Sequence, residues 1–259
     1  MQSKKIYIVL IVMMVVLFFI FFLLYGVDEI IKKDDQATIV VGDHTVWQYQ
    51  NKKWMNITGI TSFQDYNWHT FEVFDNNEKI GDYSLWYDDR WYVFDKEKNP
   101  ISVSGSFLAY EANYDLGVVP FIEQKISDYG PVEQVLSQYG IDTSSKFSNA
   151  VQISFDIDRD GEMEDFYLIT DVFAIDFEPQ VLFSFVFMVK NEEIYMIYEN
   201  INQTSMYNTC KPYFTSFLDV NRDNTYELIL SCGRYSVEKE IQWLYEFHDN
   251  DFKILISNE

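Results

Sequence analysis

One run of the chain, residues 6–27, contains no charged side chain and consists almost wholly of large apolar residues. An α-helix of about 20 such residues crosses the roughly 30 Å hydrocarbon core of a bilayer. A cleaved signal peptide has a shorter apolar run, of about 7–15 residues, and ends in small residues. This run instead ends at Tyr25-Gly26-Val27. We therefore predict an uncleaved signal-anchor, a transmembrane helix over residues 6–27 whose partner is the lipid bilayer.

The charges around this run predict its orientation. Lys4 and Lys5 precede it with no acidic residue among them, so the positive-inside rule places residues 1–5 in the cytoplasm. The whole chain has 41 acidic and 19 basic residues, a net charge of -22. We expect a single-pass protein of the cell membrane, with a cytoplasmic N-terminus and an extracytoplasmic C-terminal body. The excess of acid also argues against nucleic acid as a partner, because nucleic-acid binding needs a basic surface.

The apolar clusters past residue 38 predict a mainly β fold. They are short, rich in β-branched and aromatic residues, and separated by turn residues at about 8–12-residue spacing. Their alternation with polar residues favours antiparallel sheets that bury one face. One stretch, residues 131–139, has helical spacing between an initial Pro and a following Gly. We predict an ectodomain of two antiparallel units, an aromatic-rich unit over 38–118 and a second over 150–259, joined by this short helix and linker. A small β-propeller-like assembly is the alternative.

The second unit contains two similar acidic loops, whose first residues, Asp156 and Asp219, are 63 residues apart. Each loop carries oxygen-bearing side chains at alternate positions, a pattern that brings several oxygens onto a hard cation such as Ca²⁺. Gly161 and Asn224 occupy the same place in the two loops, where a positive φ turns the chain back. The predicted ligands of the first loop are Asp156, Asp158, Asp160, the carbonyl of Glu162, and Glu164. Those of the second loop are Asp219, Asn221, Asp223, the carbonyl of Thr225, and Glu227.

The flanks of these loops distinguish between known calcium motifs. An EF-hand does not fit, because the acidic ligand that it needs at the end of its loop falls on Tyr167 and Leu230. A loop between two strands instead resembles the calcium loops of FG-GAP/VCBS repeats, the integrin-like propeller family. The resemblance covers the two loops and their flanking strands. It has Asn224 in place of Gly, and two copies where a closed propeller has about four or more blades. It implies structural calcium in an extracellular adhesion or binding domain, and it does not imply catalysis.

The acidic loops have a simpler interpretation as two solvated hairpin turns, since Asp, Asn and Gly favour turns. Two observations favour the cation site over that interpretation. The four carboxylates predicted to bind the cation in the first loop repel one another unless a cation is present. The same spacing also occurs twice, which turn chemistry alone does not explain.

The cysteines and tryptophans leave alternatives open. Cys210 and Cys232, the only two cysteines, flank the second loop outside the predicted membrane segment, where a disulfide would persist. Two buried thiols, offset along the strands, are the alternative. The tryptophans are concentrated in one window. We interpret this window as a β core built of large side chains, and the less favoured interpretation is an aromatic platform that stacks on sugar rings. Five of the six tryptophans lie in this window: Trp47, Trp54, Trp68, Trp86 and Trp91.

Function is predicted from these features and from the lack of catalytic motifs. The three His residues are scattered, and no G-x-S-x-G or Gly-rich phosphate loop is present. We predict a non-enzyme: a membrane-anchored, calcium-binding protein with a binding or adhesion role at the cell envelope. An envelope polysaccharide or an envelope protein is the expected partner. The alternatives are an extracytoplasmic hydrolase with paired carboxylates, and an accessory subunit of a membrane complex that packs through its span.

Overall fold

The computed structural model describes residues 36–57, 60–76, 78–104, 107–111, 116–141, 149–173, 182–202, 210–234 and 240–258. Over these ranges the chain is mainly β, as predicted, with three antiparallel sheets and two short helices. Neither of these two helices is long and apolar enough to cross a membrane. The predicted cytoplasmic tip and the transmembrane helix over residues 6–27 lie outside the described residues.

The first sheet contains the first eight strands of the described chain. They are β1 (Gln36–Val41), β2 (Thr45–Gln50), β3 (Lys53–Ile57), β4 (Thr70–Asp75), β5 (Glu78–Tyr87), β6 (Trp91–Phe94), β7 (Pro100–Ile101) and β8 (Leu108–Glu111). Their order in the sheet is β3-β2-β1-β8-β4-β5-β6-β7. A one-turn helix, α1 (Ile60–Gln64), precedes β4 and covers one face of this sheet with Phe63.

The second and third sheets each contain one copy of the acidic loop. The second sheet is formed by β9 (Gln124–Lys125), β10 (Asn149–Phe155), β11 (Glu164–Phe173), β12 (Leu182–Lys190) and β13 (Glu193–Asn202). The third is formed by β14 (Cys210–Leu218), β15 (Glu227–Arg234), β16 (Ile241–His248) and β17 (Asp251–Ser257). In both sheets four consecutive strands pair in sequence order, and the acidic loop joins the first two of them. The repeat seen in the sequence is therefore a four-stranded antiparallel unit.

The helix predicted over residues 131–139 is present as α2 (Gly130–Gln138). Pro131 lies in its first turn, where the missing N–H leaves no intrahelical bond unmade. Its apolar residues Val132, Val135 and Leu136 are buried against the outer face of the second sheet. The helix therefore covers this sheet, as well as standing between the two predicted units.

The third sheet lies in the middle of the fold. One of its faces packs on the second sheet through Phe214, Leu228 and Trp243. The opposite face packs on the first sheet through Leu218, Ile229 and Leu244. The alternation in the sequence predicts only one buried face, and for this sheet the prediction is wrong. Because neighbours cover both faces, strands such as β16 contain nearly continuous buried runs.

Cys210 and Cys232 form a disulfide between β14 and β15, with their Cα atoms 5.4 Å apart. The strand register places Pro212, and not Cys210, directly opposite Cys232. The two cysteines are therefore diagonal neighbours. This is the offset on which the alternative of two thiols rested, and in the structure the side chains span it.

Candidate metal centre

The two acidic loops have the same backbone conformation. Gly161 and Asn224, at equivalent positions, have φ values of 91° and 73°. Arg159 and Arg222, also equivalent, have φ values of 55° and 59°. Both loops therefore make the positive-φ turn expected from the sequence, and Asn224 adopts it in place of glycine.

The last residue of each loop closes the turn with the same hydrogen bond. The Glu164 carboxylate accepts a bond from the N–H of Ile157 at 2.9 Å, and Glu227 accepts one from Val220 at 3.0 Å. Both glutamates are almost completely buried. A second matching pair of bonds runs from the N–H groups of Glu162 and Thr225 to the carboxylates of Asp160 and Asp223. The repeat is thus conserved between the two loops in side-chain bonding as well as in backbone shape.

In the first loop, the ammonium group of Lys190 lies among the carboxylates that were predicted to hold a metal ion. Its Nζ atom is 2.6 Å from Asp158 Oδ2, 2.8 Å from Glu164 Oε1 and 3.0 Å from Asp160 Oδ2. Only 12% of the Lys190 side chain is exposed. Burial alone would lower the pKa of Lys190, but the hydrogen bonds to Asp158, Glu164 and Asp160 outweigh it and raise the pKa above its ordinary value. Lys190 is therefore a charged ammonium held by three carboxylates.

The predicted ligands of the first loop differ in how close they lie to one another. Oxygens of Asp156, Asp158 and Glu164 lie within 4.8 Å of one another. Asp156 also accepts hydrogen bonds from the N–H groups of Asp160 and Gly161, at 3.1 and 3.0 Å. The side chain of Glu162 is exposed and its N–H bonds to Asp160. The structure thus gathers the four predicted carboxylate ligands Asp156, Asp158, Asp160 and Glu164, and the carbonyl of Glu162 stays a prediction.

A basic side chain of the first loop, Arg159, pairs with the acidic second loop. The guanidinium of Arg159 lies 3.2 Å from Asp219 Oδ2 and donates to the side-chain oxygen of Asn224 at 3.0 Å. It also lies over the ring of Tyr226, 4.2 Å from the centroid. The Asp219 side chain is only 8% exposed, and its Oδ1 atom is buried with no hydrogen-bond partner among the described residues. Arg159 thus pairs with one oxygen of Asp219. In the first loop, the Oδ1 atom of Asp158 is likewise buried with no hydrogen-bond partner among the described residues, while Lys190 binds its Oδ2 atom.

In the second loop, Asn221 and Asp223 bind each other, but among the described residues no three acidic side chains of this loop converge as Asp156, Asp158 and Glu164 do in the first. The amide of Asn221 donates to Asp223 Oδ2 at 2.9 Å, and the N–H of Asp223 donates back to Asn221 Oδ1. Burial, together with the negative charges of Asp223 and Asp219, raises the pKa of Glu227 to about 8, against the lowering effect of the hydrogen bond from the N–H of Val220. Burial also raises the pKa of Asp219, against the lowering effect of Arg159. The negative charge of this loop is therefore poorly compensated.

The third strand of each unit explains the difference between the loops. In the second sheet Asp165 pairs with Val189, so Lys190 follows opposite Glu164 at the end of the ladder. In the third sheet Glu227 pairs with Glu246. The position that holds a lysine in the first unit therefore holds a glutamate in the second. Sequence reasoning missed Lys190, because it contacts the loop across the strand pair and not through any local spacing.

The tryptophan side chains of this window differ in burial: some lie in the core and one is exposed. Trp47 and Trp91 are buried, as the core interpretation expects. Trp68 is 40% exposed, and its ring centroid lies 5.1 Å from that of Trp86 and 5.4 Å from that of Phe94. Its backbone φ is 67°, which is rare for a bulky residue. We call Trp68, Trp86 and Phe94 the aromatic surface.

Comparison with known proteins gave no match: no family model, no curated protein and no solved structure is similar to this chain. The likeness of the two loops to FG-GAP/VCBS calcium loops rests on their own residues.

Proposed function

We propose that this chain is a single-pass protein of the cell envelope whose extracytoplasmic β body binds Ca²⁺ and has a binding or adhesion role. The pair of acidic loops is the observation that carries the proposal. Both loops make the same positive-φ turn and the same closing glutamate bond. A single acidic turn is ordinary surface chemistry. Two copies with matched side-chain bonds favour a frame built to hold a cation.

The chemistry of the donors favours calcium over other metals. All predicted ligands are oxygens, and the cluster contains neither His nor Cys. Oxygen ligands suit hard cations, and Ca²⁺ accepts six to eight of them in flexible geometry. Extracellular calcium modules bind with Kd on the order of 10⁻⁴–10⁻³ M, which suits the predicted extracytoplasmic location. Mg²⁺ requires a tighter octahedron and loses water reluctantly, so it should bind less well.

The partner that we propose is an envelope polysaccharide, bound at the aromatic surface. Exposed aromatic rings offer large, rigid, apolar faces on which sugar rings can stack. Backbone strain at exposed residues tends to mark functional positions, and Trp68 has both the exposure and the positive φ. Lys98 lies over Trp68, with its Nζ 4.5 Å from the ring centroid, and supplies a hydrogen-bond donor beside the rings.

A thermal melt tests the calcium part of this proposal. The full chain in mild detergent is melted in chelator and in millimolar calcium, with the same concentration of magnesium as a control. Calcium at about ten times its Kd adds about 1.4 kcal/mol to the free energy of unfolding, or about 3–6 °C in Tm. Equal Tm values in chelator and calcium would contradict the proposal.

Protease treatment of intact cells tests the membrane anchor. We expect loss of the β body and retention of a short membrane-bound stub that contains residues 6–27. A mature chain that begins near Asp28 and is released into the medium would show that the apolar run is cleaved.

A further inference from the structure

We propose that the first loop carries a covalent modification site, at which the Nζ atom of Lys190 and the side-chain carboxyl of Asp158 condense to an amide, with Glu164 as the proton relay. This isopeptide bond joins the end of β12 to the loop between β10 and β11. It forms within one chain and needs neither calcium nor a partner, so it goes beyond the proposed function.

The two groups that react are already in contact. The Nζ atom of Lys190 lies 2.6 Å from Asp158 Oδ2, which is the shortest of its three contacts with carboxylates. A nitrogen at that distance from a carboxyl oxygen lies roughly 3–3.5 Å from the carboxyl carbon, the separation at which two groups are placed to react. Groups held in such a geometry react as if present at about 10⁵–10⁸ M. The fold therefore supplies the proximity that amide formation in water lacks.

Among the three carboxylates around Lys190, Asp158 is the one best suited to react. Asp160 is 43% exposed and accepts a hydrogen bond from the N–H of Glu162. Glu164 accepts one from the N–H of Ile157 through Oε2. Such bonds stabilise the charged carboxylate, which resists attack by a nucleophile. The Oδ1 atom of Asp158, by contrast, is buried with no hydrogen-bond partner among the described residues.

Glu164 is placed to move the protons. Its side chain is 1% exposed, its Oε1 atom lies 2.8 Å from Lys190 Nζ, and the bond from Ile157 fixes its other oxygen. Glu164 accepts two protons in turn from the lysine nitrogen and passes each to one oxygen of Asp158. The nitrogen lone pair attacks Asp158 Cγ, so that an N–C bond forms, a C–O bond breaks, and that oxygen leaves as water.

The reaction balances without any further reagent. The ammonium and carboxylate contain the same atoms as the amide and one water, and the net charge is unchanged. The site also limits access of the water that would reverse the reaction, because Lys190 is only 12% exposed and Glu164 is almost completely buried. A neutral amide largely avoids the desolvation cost of a buried ion pair. The product is a covalent tie within the second sheet, which suits a body that carries load in adhesion.

Mass spectrometry of the full chain, purified in mild detergent and reduced, tests the bond. We expect the wild type about 18 Da, one water, below the mass of its sequence. Lys190→Arg keeps the positive charge but lacks the nucleophile, and it should show its full sequence mass, as should Asp158→Ala. Lys253→Arg, on the exposed side of β17, is the control and should keep the loss. A wild type of full mass overturns the proposal, whether or not the variants fold.

A tryptic digest of the reduced wild type identifies the carboxyl that has reacted. Trypsin cleaves after Arg159, so Asp158 lies on peptide 147–159, and the other two carboxylates that Lys190 contacts lie on the next peptide. An amide at Lys190 blocks cleavage there, and the bond to Asp158 should join peptide 147–159 to peptide 160–222. A dehydrated peptide 160–222 that is not joined to the other would place the bond elsewhere and overturn the assignment.

Glu164→Gln tests the proton relay. It keeps the length of the side chain and an oxygen for the N–H of Ile157, but it cannot accept the protons of Lys190. We expect its full sequence mass, and the loss of one water at the wild-type level would contradict the role of Glu164. All masses are measured in chelator, so that the bond and the calcium site are judged separately. Absence of the bond leaves the proposed calcium binding intact, and equal Tm values in chelator and calcium leave the bond intact.

Discussion

Replacement of Glu227 by Gln should stabilise the calcium-free protein, and the gain should increase with pH. The Glu227 side chain is almost completely buried, and its Oε2 accepts a hydrogen bond from the N–H of Val220. A glutamine can accept the same bond through its amide oxygen without carrying a charge. The substitution therefore removes the ionisable group while it keeps the contact that closes the loop.

The size of the effect follows from the raised pKa of Glu227, which is about 8 in the folded chain, mainly because of burial, against an ordinary value of 4.5. Below pH 4.5 the carboxyl is protonated in both the folded and the unfolded chain, and it has no effect on the pH dependence. Between pH 4.5 and 8 the unfolded chain loses this proton and the folded chain keeps it. The free energy of unfolding then falls by about 1.4 kcal/mol per pH unit. Relative to wild type, E227Q should gain under about 1 kcal/mol at pH 5 and roughly 4 kcal/mol at pH 8.

Urea unfolding in chelator at pH 5, 6, 7 and 8, followed by tryptophan fluorescence, measures this difference. The chelator is essential, because a bound metal would neutralise the carboxylate and mask the effect. Glu192→Gln, in the exposed turn between β12 and β13, removes an equal charge from the surface and should change little. A stability difference between E227Q and wild type that does not vary with pH would refute the reasoning.

Three further predictions concern other contacts. Arg159→Met should lower the free energy of unfolding by about 1–3 kcal/mol in urea, because it leaves Asp219 buried without its ion pair; no loss would contradict this role. The unreduced, unfolded chain should show no titratable thiol, and reduction of the Cys210–Cys232 disulfide should cost about 3 kcal/mol. Two free thiols in that assay would exclude the bond. Trp68→Ala should weaken retention on insoluble envelope polysaccharide by about 2–10-fold, the value of one aromatic contact. The exposed-site variant Ile122→Ala should be retained like the wild type, and an equal loss in both would argue against a specific aromatic surface.

The features that could be predicted from sequence are those fixed by local chemistry. The loop shape is one of them, because alternate acidic residues and a Gly or Asn at a fixed position determine the turn within a few residues. Helix α2 is another, since Pro131 and the spacing of Val132, Val135 and Leu136 are local signals, and it begins one residue earlier than predicted. The mainly β class follows in the same way from short apolar runs and frequent turns.

The features that could not be predicted depend on contacts between distant segments. Lys190 reaches the first loop only because β11 and β12 pair in one register, and a shift by one residue would place it on the other face. Arg159 belongs by sequence to the first loop and yet neutralises Asp219 in the second. Which basic side chain neutralises each acidic loop is thus decided by tertiary structure, and the acidic pattern alone does not reveal it.

The central position of the third sheet has a consequence for the order of folding. Its strands, residues 210–257, are the last that the structure describes, yet they separate the first sheet from the second. While the chain is being synthesised, the two earlier sheets each expose an apolar face until these residues emerge. Such a topology, rich in contacts between distant segments, folds slowly and is open to aggregation in the meantime. We therefore expect a chain that stops before residue 210 to expose the apolar faces of the first and second sheets, because the third sheet covers both of them.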